Sequence, residues 1–162
     1  MAEPIRERVL DAIVKRLETI IAGAGPGSGY RQTLKRVSRN EEYMDQQSAF
    51  PVAFVYPIEH GTSKVYQELD DGIIEGHMGV AIAIMAETTD ATPLSTVFER
   101  LIADVEIALT TDLHLGMDAG TVEDIRDSGE FQSLYDISEN GEVRSMAVVV
   151  YHIRYAYTRG AP

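Results

Sequence analysis

The chain has 162 residues, of which 44% are hydrophobic and 25% charged, the composition of one soluble globular domain with an apolar core. It contains no cysteine, which excludes disulfides and thiolate metal sites. Its net charge of −12 argues against a general nucleic-acid binder, because such proteins need cations to displace phosphate counterions.

The first predicted element is a helix over residues 4–22. Apolar residues recur there at three- and four-residue spacing with charged residues opposite, and Pro4 suits the first helical position. The N-terminal MAEPIRERVL lacks the apolar core of a signal peptide, so we expect a cytoplasmic origin. GAGPGSG (23–29) fits neither GxGxxG nor a phosphate-binding P-loop, and YRQTLKRVSR after it reads as extended. We therefore interpret residues 23–31 as a flexible loop.

The middle of the chain predicts strands. FPVAFVYPIE (50–59) is a β-branched and aromatic run, and its two prolines place a strand end or one side of the strand at a sheet edge. KVYQEL (64–69) continues extended, and DDG turns the chain into the long strand GIIEGHMGVAIAIMAET. The longest apolar run there, Met78–Ala86, is far shorter than the roughly 18 residues of a membrane span.

A second helix is predicted over residues 93–110, with Thr92 as its cap. Residues 112–142 are polar and turn-rich, and we expect a flexible loop in which TVEDIRDSGE is compatible with one strand. The final VRSMAVVVYHIRYAYT predicts a strand of unusual length. This order of elements predicts a single α+β domain over residues 1–162, with two helices packed on one face of a mostly antiparallel sheet.

The stretch YQELDDGIIEGH (66–77) raises the question of a metal or acid/base site. Its polar residues are Glu68, Asp70, Asp71, Glu75 and His77. An EF-hand would need alternating acids, and here Asp70 and Asp71 are adjacent. A solvated turn also offers nothing that would separate the pKa values of two carboxyl groups. We interpret the stretch as a charged hairpin and predict that it binds no metal.

Catalytic patterns are likewise not apparent in the sequence. The histidines show neither HxxxH nor HxH spacing, and no serine lies in a GxSxG elbow. We therefore predict no enzyme activity, cofactor or metal. Only scattered side chains could line a small-molecule pocket, namely Tyr56, Glu75, His77 and His152.

The sheet is predicted to be apolar on both faces. In the last strand, Val149, Tyr151, Ile153, Tyr155 and Tyr157 share one face, and Met146, Val148 and Val150 share the other. Two helices cover one face only, so we expect an apolar and tyrosine-containing surface on the second. A second copy of the protein is the simplest cover for it; the alternative is that loops 23–48 and 112–142 fold over it.

Charge is distributed unevenly along the chain. Residues 1–40 contain eight Lys/Arg and four Asp/Glu, a net charge of +4, and residues 41–162 contain six and twenty-two, a net charge of −16. This asymmetry has two interpretations. It is either the charge pattern of an ordinary solvated surface, or it indicates a protein that self-associates through oppositely charged surfaces.

The sequence resembles the tail terminator and minor tail proteins of long-tailed bacteriophages, small α/β proteins that close the tail tube and join it to the head. The resemblance rests on ERVLDAIVKRLETI, FPVAFVYP, LIADVEIALTTDLHLG and the closing AVVVYHIRYAYTRGAP. It implies a homo-oligomeric ring, typically a hexamer, through which genome DNA passes. It also implies no enzyme activity, no obligatory cofactor, no membrane and no sequence-specific DNA binding.

The implied partners are further copies of the chain, the tail tube and head-completion proteins, in a virion assembled in the bacterial cytoplasm. An acidic lumen would repel the DNA phosphates. The candidate subunit-interface residues are Arg31, Lys35, Arg36, Arg39, Glu68, Asp70 and Asp71. Two alternatives stay open: a head-completion or connector adaptor of the same particle, and a small-molecule-binding α+β dimer.

Overall fold

A computed structural model describes residues 4–39, 49–58, 67–68, 72–87, 92–118, 121–137 and 143–158; for 67–68, 130–137 and 143–144 it describes the backbone alone. The two helices are α1 (Ile5–Leu17) and α2 (Leu94–Thr110). The strands are β1 (Arg36–Ser38), β2 (Val52–Ile58), β3 (Gln67–Glu68), β4 (Ile73–Glu87), β5 (Val122–Ile137) and β6 (Val143–Thr158).

All six strands belong to one sheet in the order β1-β2-β4-β6-β5, with β3 paired to the end of β4. Only β1 and β2 pair in parallel, and every other pairing is antiparallel. The predicted α+β class with a mostly antiparallel sheet is therefore confirmed. The short β1 pairs only with Val52–Phe54, so Pro57 lies in the part of β2 beyond it, where a missing backbone N–H costs no ladder bond.

Both helices pack on the same face of the sheet, as predicted. The helices contribute Val9, Ile13, Leu17, Leu101, Val105 and Leu109, and the sheet contributes Val80, Ile82, Val149, Tyr151 and Ile153, to one core cluster. Helix α1 lies over β1 and β2, and α2 lies over β4, β5 and β6. The apolar stripe of each helix is thus removed from water against a shared surface.

The tyrosine-bearing face of β6 lies beneath the helices. Tyr151 and Tyr155 are 2% and 1% exposed, so the expectation that the tyrosines of the last strand line the uncovered face is wrong. The uncovered face has its own small cluster, in which Val52 and Phe54 are each 1% exposed and Ala83 is fully buried. The centre of that face is therefore shielded within one chain, which weakens the argument that a second copy must cover it.

The helix ends differ from their predicted positions. Helix α1 ends at Leu17 instead of residue 22. It ends just before the β-branched run Thr19–Ile21, and the Thr19 hydroxyl donates a hydrogen bond to the Arg16 carbonyl. Helix α2 begins after Pro93, whose side chain makes no capping hydrogen bond, so the assignment of Thr92 as the cap is wrong. Pro93 has extended backbone angles there, and its fixed φ suits the entry to a helix.

The expected loop over residues 112–142 is wrong for most of its length, because β5 occupies Val122–Ile137. Two pairing stretches are joined by a bulge, at which Ser128, Gly129 and Glu130 stand opposite the single residue Val150. Because the bulge is polar, the sequence of this long strand, which pairs with β6, resembles that of a loop. Residues 23–31 form no helix and no strand, as predicted, although Tyr30 is buried and bridges to Ala22.

Candidate functional site

Three of the four basic interface candidates, Lys35, Arg36 and Arg39, lie in or next to β1 at one edge of the sheet. The fourth, Arg31, lies against α2, and all four positions are exposed. Arg39 is paired within the chain, because its Nη1 lies 2.6 Å from Asp11 Oδ1 and 3.9 Å from Glu7 Oε1 on α1. Its charge is therefore partly neutralised, which leaves Lys35 as the more informative position at this edge.

A buried carboxylate holds the basic segment in place. Asp104 on α2 is 1% exposed and accepts hydrogen bonds from the backbone N–H groups of Arg31 (3.0 and 2.9 Å) and Gln32 (2.8 Å). Sequence reasoning missed this residue. The available signal was an aspartate between Leu101 and Val105 on the apolar stripe of a helix, because a charge at such a position needs partners.

The acidic interface candidates lie elsewhere. Glu68 is in β3, which pairs with β4 at Ile74, on the side of β4 that also bears β2. Asp70 and Asp71 lie outside the described residues. The pairing of Glu68 with Ile74 and of Gln67 with Glu75 agrees with the predicted hairpin. The proposed interface role of these acids stays a prediction.

The hairpin residues Glu75 and His77 form a pair on the sheet face away from the helices. His77 Nε2 lies 2.9 Å from Glu75 Oε1, and the histidine side chain is 43% exposed. Tyr56 and His152 lie on the same face, opposite Ala81 and Gly79 of β4 in register. Within the described part of the chain, no three His, Asp or Glu side chains are close enough together to hold a metal ion.

A groove of about 530 Å³ lies on the helix side of the sheet, between α1 and the segment that follows α2. Residues at helical spacing on α1 form one wall, and residues 115–118 form the other. Its lining residues are Arg8, Asp11, Ala12, Lys15, Arg16, Thr19, Leu115, Gly116, Met117 and Asp118. None of these positions was predicted as a site, because the walls are far apart in sequence.

Asp112 shapes the far wall of the groove. It accepts hydrogen bonds from the backbone N–H groups of His114 (3.0 Å) and Gly116 (2.7 Å), and Arg16 Nη2 lies 2.6 Å from it. The hydrogen bond from His114, with that from Gly116 and the Arg16 charge, holds the pKa of the Asp112 carboxyl below its usual value, while partial burial opposes the shift. Leu115 is buried with a positive φ of 55°. The arrangement ties α1 to the end of α2.

Two cations of the groove have no ion-pair partner among the residues that the structure describes. Arg16 is paired with Asp112, and Asp11 with Arg39. The exposed side chains of Arg8 and Lys15 form no ion pair or hydrogen bond within the described ranges. They lie beside the apolar surface of Ala12, Leu115 and Met117, with Asp118 at the rim of the groove.

The opposite edge of the sheet is acidic. Glu123, Asp124 and Asp127 lie on β5, where Arg126 Nε pairs with Asp124 Oδ2 at 2.5 Å. Arg154 Nε pairs with Glu123 Oε2 at 2.9 Å, while Asp127 accepts a hydrogen bond of 2.7 Å from the N–H of Gly129 within the bulge. Burial, reinforced by the charges of Asp127 and Glu106, raises the pKa of Tyr151 beneath this edge.

The sequence was compared with family models and with curated proteins. No family model matches the chain, and no curated protein is significantly similar to it. Over the described residues, no helix is both long and apolar enough to cross a membrane.

Proposed function

We propose that this chain is a non-enzymatic structural subunit that assembles head to tail into a closed ring. One observation carries the proposal: the two edges of a single sheet bear opposite charge. Lys35 and Arg36 lie beside and in β1 at one edge, and Glu123 and Asp127 lie on β5 at the other. A two-fold dimer brings identical surfaces together, whereas a head-to-tail contact joins opposite edges and so pairs unlike charges.

The proposed ring closes the end of a phage tail tube and joins it to the head. This position rests on the resemblance to tail terminator and minor tail proteins, as does the hexameric stoichiometry. Its partners are then further copies of the chain, the tail tube and head-completion proteins. The net charge of −12 supports a ring that lets DNA slide past, because an acidic wall repels phosphates. An adaptor at another joint of the same particle would use the same head-to-tail contact.

The test is the mass of the protein in solution, measured by sedimentation velocity over a wide range of concentration and salt. We expect oligomers larger than a dimer at high concentration and low salt. We also expect salt to weaken them, because exposed charges are screened beyond about 8 Å at physiological ionic strength. A tight two-fold dimer that persists at all concentrations and salt levels would refute the ring and favour the small-molecule-binding dimer.

Charge reversal at the basic edge sharpens the test. Lys35→Glu combined with Arg36→Glu should weaken the oligomer and leave the far-UV circular dichroism spectrum unchanged, since both positions are exposed. The control is Arg100→Glu together with Arg6→Glu, which changes the charge equally on the helices. Equal effects of the two double variants would show that net charge, and not the β1 edge, controls assembly.

A further inference from the structure

We propose that the groove between α1 and residues 115–118 is the docking site for the β5 bulge of a neighbouring copy of this chain. The inference rests on the proposed function and specifies which surfaces touch. Its basis is a concave surface that contains Arg8 and Lys15, whose side chains have no partner among the described residues, and an exposed acidic turn in β5. The structure contains both halves of the contact in one chain, as a head-to-tail assembly requires.

The groove has the size and chemistry to hold a short turn. Its volume of about 530 Å³ lies within the range of roughly 300–1,000 Å³ that is typical of ligand pockets. Arg8 and Lys15 are about two helical turns apart on the same side of α1, so both can reach one acidic segment. Leu115 and Met117 add apolar surface between the charges and the core.

The bulge has the shape and charge to fill it. Asp127 and Gly129 are exposed, and Gly129 has a positive φ of 73° with no neighbouring atom within 4 Å of where its Cβ would be. The hydrogen bond of 2.7 Å from the Gly129 N–H to Asp127 Oδ1 fixes the turn before docking. The sequence DSGE at residues 127–130 adds a second carboxylate and two small residues. A preformed turn loses little conformational freedom on binding.

The absence of cysteine in the sequence permits a direct proximity test. Two single variants, Thr19→Cys in the groove and Ser128→Cys in the bulge, are mixed and oxidised. We expect a disulfide-linked pair of the two chains, and a ladder of higher species from the chain that carries both substitutions. The matched control replaces the half-buried bulge position with Ser95→Cys, which is exposed and lies at the start of α2. It should give no more product than random collision.

Charge exchange provides an independent readout that needs no cysteine. Arg8→Glu with Lys15→Glu should weaken self-association roughly ten- to a hundredfold, since two attractive pairs become repulsive. Adding Asp127→Lys to the same chain should restore association, because every subunit presents both surfaces. Asp127→Asn keeps an acceptor for the Gly129 N–H and removes only the charge, so a loss of association in this variant excludes misfolding of the bulge as the cause.

The outcomes separate this inference from the proposed ring. Oligomers without the Thr19–Ser128 crosslink and without rescue would overturn the docking site and leave the ring in place. A salt-resistant two-fold dimer would overturn both. If neither oligomers nor crosslinks form at any concentration, both are again overturned. Crosslinking together with rescue by Asp127→Lys is the result we expect.

Discussion

Replacing Asp104 tests how the structure positions its basic segment. Its carboxylate accepts hydrogen bonds from the backbone N–H groups of Arg31 and Gln32, and it is 1% exposed. With its oxygen at the Oδ2 position, Asp104→Asn still accepts from both amides, but its NH₂ group then faces the Arg31 N–H at the Oδ1 position. The substitution therefore loses the negative charge behind both hydrogen bonds and leaves one buried donor without an acceptor.

The magnitude follows from these two losses. Each of the two hydrogen bonds falls from about 1.5–3 kcal/mol to the roughly 0.5–1.5 kcal/mol of a neutral bond, and an unsatisfied buried donor costs about 1–3 kcal/mol. Because the bonded amides are only partly buried, we take about 1 kcal/mol for each of these three terms and expect the free energy of unfolding to fall by about 3 kcal/mol. With a urea dependence of about 2 kcal/mol per molar, the midpoint of unfolding should fall by about 1.5 M.

The assay is urea unfolding followed by far-UV circular dichroism, since the chain contains no tryptophan. Hydrogen exchange at the Arg31 and Gln32 amides provides a local readout, and both should exchange faster in the variant. Glu99→Gln is the control, because Glu99 is exposed on the same helix. If Asp104→Asn matches this control in stability and both amides stay protected, the assigned role of Asp104 is wrong.

Three further predictions concern burial, charge and space. Above about pH 10, the Tyr151→Phe variant should lose less stability than the unsubstituted protein. The pKa of Tyr151 is raised in the folded state, so its neutral phenol contributes stability below the unfolded pKa, and this contribution is lost as the pH rises. Alkaline unfolding curves of both proteins measure the difference, and identical curves would contradict the prediction. Below about pH 4, the Asp112→Asn variant should lose less stability than the unsubstituted protein. The pKa of Asp112 is lowered in the folded state, so its carboxylate contributes stability above the unfolded pKa, and this contribution is lost as the pH falls. Acid titration followed by circular dichroism tests this, with Asp118→Asn as the control. Gly76→Ala should lower the thermal midpoint, because the new Cβ would lie 2.5 Å from Cζ of Tyr155; an unchanged midpoint would show that the ring moves aside at no cost.

The sequence alone determined the fold class and that both helices share one face of the sheet, but not which face of the last strand they cover. The apolar stripes of residues 4–22 and 93–110 required a common surface, and period-2 patterns in the last strand assigned Val149 and Tyr151 to one face. These features are local, because a stripe or an alternation is complete within one element. The basic cluster around residues 31–39 was also readable, since composition alone reveals it.

Only the tertiary structure decided how these parts meet. Strand β5 could not be predicted in full from the sequence, because its polar bulge resembles a loop. Its extended conformation is stabilised by pairing with β6 and not by local strand propensity. Asp104 contacts a segment 73 residues away, and Arg16 reaches Asp112 across 96 residues, so no sequence window contains either pair. The groove and the opposite charges of the two sheet edges follow from strand order and helix packing. The topology of the chain determines the groove and the positions of the two charged edges. That topology forms because elements far apart in sequence bury apolar surface against one another.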